Sequence, residues 1–120
     1  MPRALIISSD EGTRYLYQVA IAYQKIEIIT AGTIKEAVAK IEKKQPDIII
    51  LDVQVSDFSD IGLLRDLKDK AGAMPLIIMA DMKNSSGTKE ASILGAVKYM
   101  VKGENSLGDL IKTVRRVVNK

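Results

Sequence analysis

The sequence predicts an α/β domain built on a doubly wound parallel sheet, and three observations predict it. Short apolar runs alternate with segments of helical periodicity, strand then helix, five times over. The third run, Ile48-Ile49-Ile50-Leu51, is continuously apolar between Asp47 and Asp52, as expected of a strand buried on both faces. The chain has 120 residues with 47% apolar content, so residues 1–120 are read as one domain around one core.

Ala4–Ile7 is the first strand. Ser8-Ser9-Asp10-Glu11-Gly12 turns into a helix whose acidic start suits its dipole. Leu16, Val19, Ala20 and Tyr23 recur at helical spacing to its end. Ile26–Thr30 is the second strand. Thr33 and Glu36 form a capping box, with Glu36 reaching back to the cap. The helix they open buries Ile34, Ala37, Val38 and Ile41, and Pro46 stops it. After the strand that ends at Asp52, Val53–Ser59 is a loop, and the next helix carries Ile61, Leu64 and Leu67. Pro75–Ala80 is the fourth strand, with Pro at its tolerated first position. Lys83–Gly87 is a polar loop, and a helix from about Thr88 ends at Gly95, a suitable left-handed C′ residue. Val97–Lys102 is the fifth strand. Ser106 caps the last helix, with Asp109 in its first turn. That helix buries Leu107, Leu110, Ile111, Val114, Val117 and Val118.

Composition removes several functions. There is no Cys, hence no disulfide framework or thiolate metal site. There is no His, which excludes a Ser-His-Asp triad, His metal ligation and a phosphohistidine carried by this chain. Eighteen basic residues against 15 acidic ones give +3, too mild and too dispersed for a nucleic-acid footprint. No apolar run reaches the roughly 20 residues of a membrane span. The expectation is a cytoplasmic protein that is not an enzyme.

In doubly wound sheets, ligands sit at the carboxyl ends of the strands. Those ends here carry Ser8, Ser9 and Asp10, then Asp52, then Ala80 and Asp81, then Lys102. Asp52 and Lys102 are expected to face one cleft.

At these residues the chain resembles the receiver domain of two-component response regulators. The resemblance covers the whole chain and rests on Pro46–Asp52, Ile61–Lys68 and Gly95–Lys102, with Arg14 at a position where the family often has Arg. It implies a flavodoxin-like (βα)5 sandwich with strand order 2-1-3-4-5. It also implies phosphoryl transfer from a histidine kinase or phosphotransfer protein to an aspartate. Asp52 stands at the phosphoacceptor position, Lys102 at that of the lysine contacting the phosphoryl group, and Tyr99 at that of the switch aromatic. The backbone carbonyl of Gln54 and the carboxylates of Asp52 and Asp10 are the candidate Mg²⁺ ligands. The family's helix 4–strand 5–helix 5 face commonly pairs with partners or itself; here it would carry Lys98, Lys112 and Arg116, which allows a homodimer.

Several positions depart from the family. Ser8 and Ser9 replace the acid pair that holds Mg²⁺, and Ala80 replaces the Thr or Ser of the switch. Asp81 adds negative charge beside the site. Ser56, Asp60 and Gly103 replace the usual Pro, Gly and Pro. The expectation is a degenerate receiver, weakly phosphorylated or phosphorylation-independent, with Mg²⁺ bound weakly at best. The alternatives are a pseudo-receiver that only binds proteins, and an intact receiver in which Asp10 or Asp81 supplies the lost ligand. A flavodoxin-like flavin or nucleotide binder is a remote third, because Asp10 and Glu11 would repel a phosphate and Phe58 is the one Phe, with no Trp. Structural roles compete residue by residue: Asp52 as a turn cap, Lys102 as a solvated strand end, Tyr99 as a core aromatic, and Lys112, Arg115, Arg116 and Lys120 as a solvated helix face.

Overall fold

In the computed structural model, residues 1–80, 93–102 and 106–119 are described. The apolar runs form β1 (Arg3–Ile7), β2 (Glu27–Ala31), β3 (Ile48–Asp52), β4 (Leu76–Ala80) and β5 (Lys98–Val101). They pair in parallel as β2-β1-β3-β4-β5, the order the resemblance implies. Among the described residues the bounded helices are α1 (Glu11–Ala22), α2 (Ile34–Lys43), α3 (Ile61–Ala71) and α4 (Leu107–Val118). Gly95, with φ +65°, closes a helical turn as the sequence predicts. Asp81, the loop Lys83–Gly87, the helix start near Thr88, and Gly103 lie outside the described residues. Among the described residues no helix is long and apolar enough to cross a membrane.

Strand alternation sorts the core into two layers. Ile49 and Leu51 face α2 and α3, packing with Ile34, Ile41, Leu64 and Leu67. Ile48 and Ile50 face α1 and α4, packing with Tyr17, Ile21, Leu110 and Val114. All five residues of β3 are buried, because it lies mid-sheet with a helical layer on each face. Each of its four apolar side chains, Ile48 to Leu51, contributes about 1.5–3 kcal/mol on burial. This central strand ends on a carboxylate, and that placement positions the site.

Local differences have simple causes. Thr33 accepts the Glu36 N–H, but the Glu36 carboxylate reaches one residue beyond the cap, to the Gly32 N–H at 3.0 Å. On α1 the core takes Tyr17 and Ile21, while Leu16, Val19 and Tyr23 are exposed. In α4 only Leu110 and Val114 are fully buried; Leu107, Val117 and Val118 pack part-buried beside them.

Arg3 and Lys44 both pair with Glu27, at 3.0 and 2.7 Å. Hydrogen bonds from Arg3 and then Lys44 hold the Glu27 carboxyl down from 4.5 to about 2. A depressed carboxyl stabilises the fold above its unfolded value, and that contribution is lost as pH falls through the folded value. Part of the acid-induced loss of stability is therefore expected between about pH 4.5 and 2. Glu27→Gln is expected to flatten that part of a melting-temperature profile, and an unchanged profile would contradict it.

Candidate functional site

Sheet register brings the site together. Ile7 pairs with Leu51, so Ser8 falls level with Asp52 on the neighbouring strand. Asp52 pairs with Met79, and Ala80 with Val101, so Lys102 emerges just beyond the same rim. The Lys102 N–H donates to the Ala80 carbonyl at 2.8 Å, fixing the start of its side chain. Two residues 50 positions apart thereby meet, with Lys102 Nζ 2.8 Å from Asp52 Oδ2.

Asp52 is 1% exposed and Ser8 fully buried, and among the described residues no other polar residue is buried. They satisfy each other: Ser8 Oγ donates to Asp52 Oδ2 at 3.2 Å. The Gln54 N–H donates to Asp52 Oδ1 at 3.0 Å. Both carboxylate oxygens thus have partners, and the charge has a cation against it, as a buried carboxylate requires. Ser9 Oγ donates to the Gln54 carbonyl at 3.1 Å. The two serines, where the resemblance implies an acid pair, therefore each donate to an oxygen that it implies as a metal ligand.

Asp10, the third candidate ligand, is engaged elsewhere. It is the N-cap of α1, and its Oδ2 accepts the Thr13 N–H at 2.8 Å and the Thr13 hydroxyl at 2.5 Å. Hydrogen bonds from the Thr13 hydroxyl, and then the Thr13 N–H, hold its carboxyl below the usual carboxylate range, with smaller help from Lys102 and Arg14. Arg14 donates to the Ser8 carbonyl at 2.6 Å, anchoring the strand end that carries the serines. Among the described residues no three acidic side chains gather as a metal cluster.

Ala80 is buried at the end of β4 and offers a methyl group where the resemblance implies a hydroxyl. Tyr99 pairs in register with Ile78 and packs half-buried against the α2–α3 layer. It packs as a core aromatic.

Two positioning features escaped the sequence. Asp57 accepts the N–H groups of Ile34 and Lys35, at 2.9 and 3.1 Å, and so ties the loop after Asp52 to the start of α2. Asp60 is the N-cap of α3, accepting the Leu63 N–H at 3.1 Å. Val55 and Phe58 of that loop are buried in the core layer beneath α2 and α3. Asp60 carried a readable signal, an acid just before an apolar helix. Asp57 carried none, because its partners lie 22 and 23 residues away.

A family model described as the response regulator receiver domain matches residues 4–115. A transcriptional regulatory protein TrcR of Mycobacterium tuberculosis is 24% identical over 118 residues, covering 98% of this chain and 46% of that protein. The chain spans half or less of the curated relatives it matches. A CheY-like receiver domain protein of Methanospirillum hungatei superposes with TM-score 0.86 at 20% identity, covering 99% of this chain and 94% of that one. The response regulator TrrA of Thermotoga maritima, in complex with Mg(2+)-BeF, superposes with TM-score 0.82 at 22% identity, covering 98% of this chain and 99% of that one.

Proposed function

The chain belongs to the response regulator receiver domain family, and from that premise we propose a receiver whose acceptor site has exchanged its metal for internal partners. It is weakly phosphorylated or phosphorylation-independent, and it signals by binding other proteins. One observation carries this: the Ser8 and Ser9 hydroxyls donate to Asp52 and to the Gln54 carbonyl, the oxygens a divalent cation would need.

Mg²⁺ takes hard oxygens in near-octahedral array, usually one or two carboxylates with several waters. The donors here are one carboxylate already against an ammonium, one carbonyl and two neutral hydroxyls. That set does not fit the ion, and Asp10 could join it only by giving up its cap on α1. Lys102 supplies the charge compensation instead. With Ala80 at the end of β4, no hydroxyl at that position can pull on a phosphoryl group and pass the movement to Tyr99.

A phosphohistidine donor would lie on another protein, a histidine kinase or phosphotransfer protein, since this chain has no His of its own. Lys98, Lys112 and Arg116 are exposed on β5 and α4. A homodimer through that face would bring these cations together, so we assign it to an acidic partner.

Incubation with a small phosphodonor and Mg²⁺, followed by intact-mass measurement, tests the reading. It predicts little or no added phosphate over a time in which an intact receiver labels fully. Rapid stoichiometric labelling that Asp52→Ala abolishes would overturn it.

A further inference from the structure

The loop between β3 and α3 is threaded by hydrogen bonds along its length. It leaves the site at Asp52, whose Oδ1 accepts the Gln54 N–H at 3.0 Å and whose carbonyl accepts the Val55 N–H at 3.2 Å. The Val55 carbonyl accepts the Phe58 N–H at 3.1 Å, and the Asp57 carbonyl accepts the Asp60 N–H at 3.1 Å. Asp60 then opens α3 as its N-cap. Val55 and Phe58 are buried, and Asp57, between them in sequence, is half-buried. Successive short turns with two buried side chains make a segment that opens as a unit rather than residue by residue.

Asp57 fastens that segment to a second element. Its two carboxylate oxygens each take one N–H from the first turn of α2, Oδ1 that of Ile34 at 2.9 Å and Oδ2 that of Lys35 at 3.1 Å. The Thr33 hydroxyl accepts the Glu36 N–H at 3.1 Å, and the Thr33 carbonyl accepts the Ala37 N–H. The first turn therefore divides its donors between its own cap and a carboxylate 23 and 22 residues away. An ionised acceptor at a helix start is favoured by the dipole and makes stronger bonds than a neutral one. Thr33 already caps this helix, so the carboxylate from the loop adds a tether as well as a cap.

We propose that Asp57 is a positioning residue that couples the Asp52 rim to the start of α2, so that the charge on Asp52 is read out at Ile34 and Lys35. At the end of β4 the buried Ala80 side chain has no hydrogen-bonding atom, so the switch route that the resemblance implies has no head. The loop supplies a different route, from the Asp52 carboxylate to the Gln54 N–H, through the turns to Asp57, and on to the α2 amides. Neutralising Asp52 weakens the Gln54 bond, because an ionised acceptor is the stronger one, and loosens the loop that carries Asp57. Coupling is reciprocal, so a partner that grips the start of α2 also steadies Gln54 on Asp52. The inference rests on Asp52 as the centre of the site, and not on whether a phosphoryl group reaches it.

Amide hydrogen exchange of the 120-residue chain, read residue by residue by NMR, tests the coupling. Each rate is taken relative to that of Ile50 in mid-β3, which reports global unfolding. Asp57→Ala is expected to speed exchange at least about tenfold at Ile34 and Lys35, and at least about threefold at Gln54. Asp52→Asn is the reciprocal arm: it is expected to speed exchange at Gln54 and, at least about threefold, at Ile34 and Lys35, although its side chain bonds to neither. Added to Asp57→Ala, Asp52→Asn is expected to leave Ile34 and Lys35 unchanged, because the tether is already gone. Asp57→Asn keeps one acceptor oxygen and gives the same pattern at reduced size, so the test stands if Asp57→Ala does not fold. Effects of the Asp57 variants confined to Ile34 and Lys35 would make Asp57 a cap alone and overturn the proposal. Asp52→Asn without effect at α2 overturns it equally. Phosphate labelling of Asp52 decides the proposed function and leaves these comparisons untouched.

Discussion

Replacing Ser8 and Ser9 together with aspartate is expected to raise Mg²⁺ affinity by about two orders of magnitude. A unit-charge pair near 4 Å is worth about 4 kcal/mol at an effective dielectric of about 20. Dehydration of the ion and the new carboxylates cancels most of that. If about 1.4 kcal/mol survives per acid, each is worth tenfold. The substitutions also remove the hydroxyl hydrogens now directed at Asp52 and the Gln54 carbonyl, freeing both oxygens. The same variant is expected to melt lower than the parent without metal, because Ser8 is fully buried against Asp52 and would become a second carboxylate there. Mg²⁺ should raise its melting temperature with concentration while leaving the parent nearly unchanged. Equal affinities in the two proteins would show that the serines are not what weakens the site.

Lys102→Met is expected to destabilise the fold by about 2–3 kcal/mol, and Asp52→Asn by far less. Removing the ammonium leaves a carboxylate that is 1% exposed with only the Ser8 hydroxyl and the Gln54 N–H. Breaking a buried pair in this way costs about 3–5 kcal/mol, and the lower figure allows for a lysine that is a quarter exposed. Removing the carboxylate instead leaves a lysine that can turn to water. The double variant should therefore resemble Asp52→Asn alone. In thermal unfolding the gap between the single variants should be roughly 8–12 °C for a domain of this size. Equal costs for both single variants would mean that Lys102 is not the counter-charge of Asp52.

The sheet was legible because its signals are local. Ile48–Leu51 is apolar on every position, and a strand covered on both faces has no other pattern to show. The meeting of Asp52 and Lys102 followed once the strands were ordered, since both are strand-end residues in a parallel sheet. The outward face of α1 was not legible. Leu16, Val19 and Tyr23 form a helical stripe as regular as Tyr17 and Ile21, and periodicity alone cannot say which of two stripes meets the sheet. Asp57 was invisible for another reason: it serves the start of α2, which lies next to it only after folding. At Ser8 and Ser9 the resemblance implied missing carboxylates, but only the geometry shows the hydroxyls donating to Asp52 and to the Gln54 carbonyl.

An exchange of metal for internal partners at Asp52 is tested most directly by titrating the unmodified protein with Mg²⁺ while following the Gln54 amide, whose N–H rests on Asp52. The account predicts a small, unsaturating drift through millimolar Mg²⁺, against a saturating shift in the Ser8→Asp, Ser9→Asp variant. A saturating shift of similar midpoint in the unmodified protein, lost in Asp52→Ala, would contradict it.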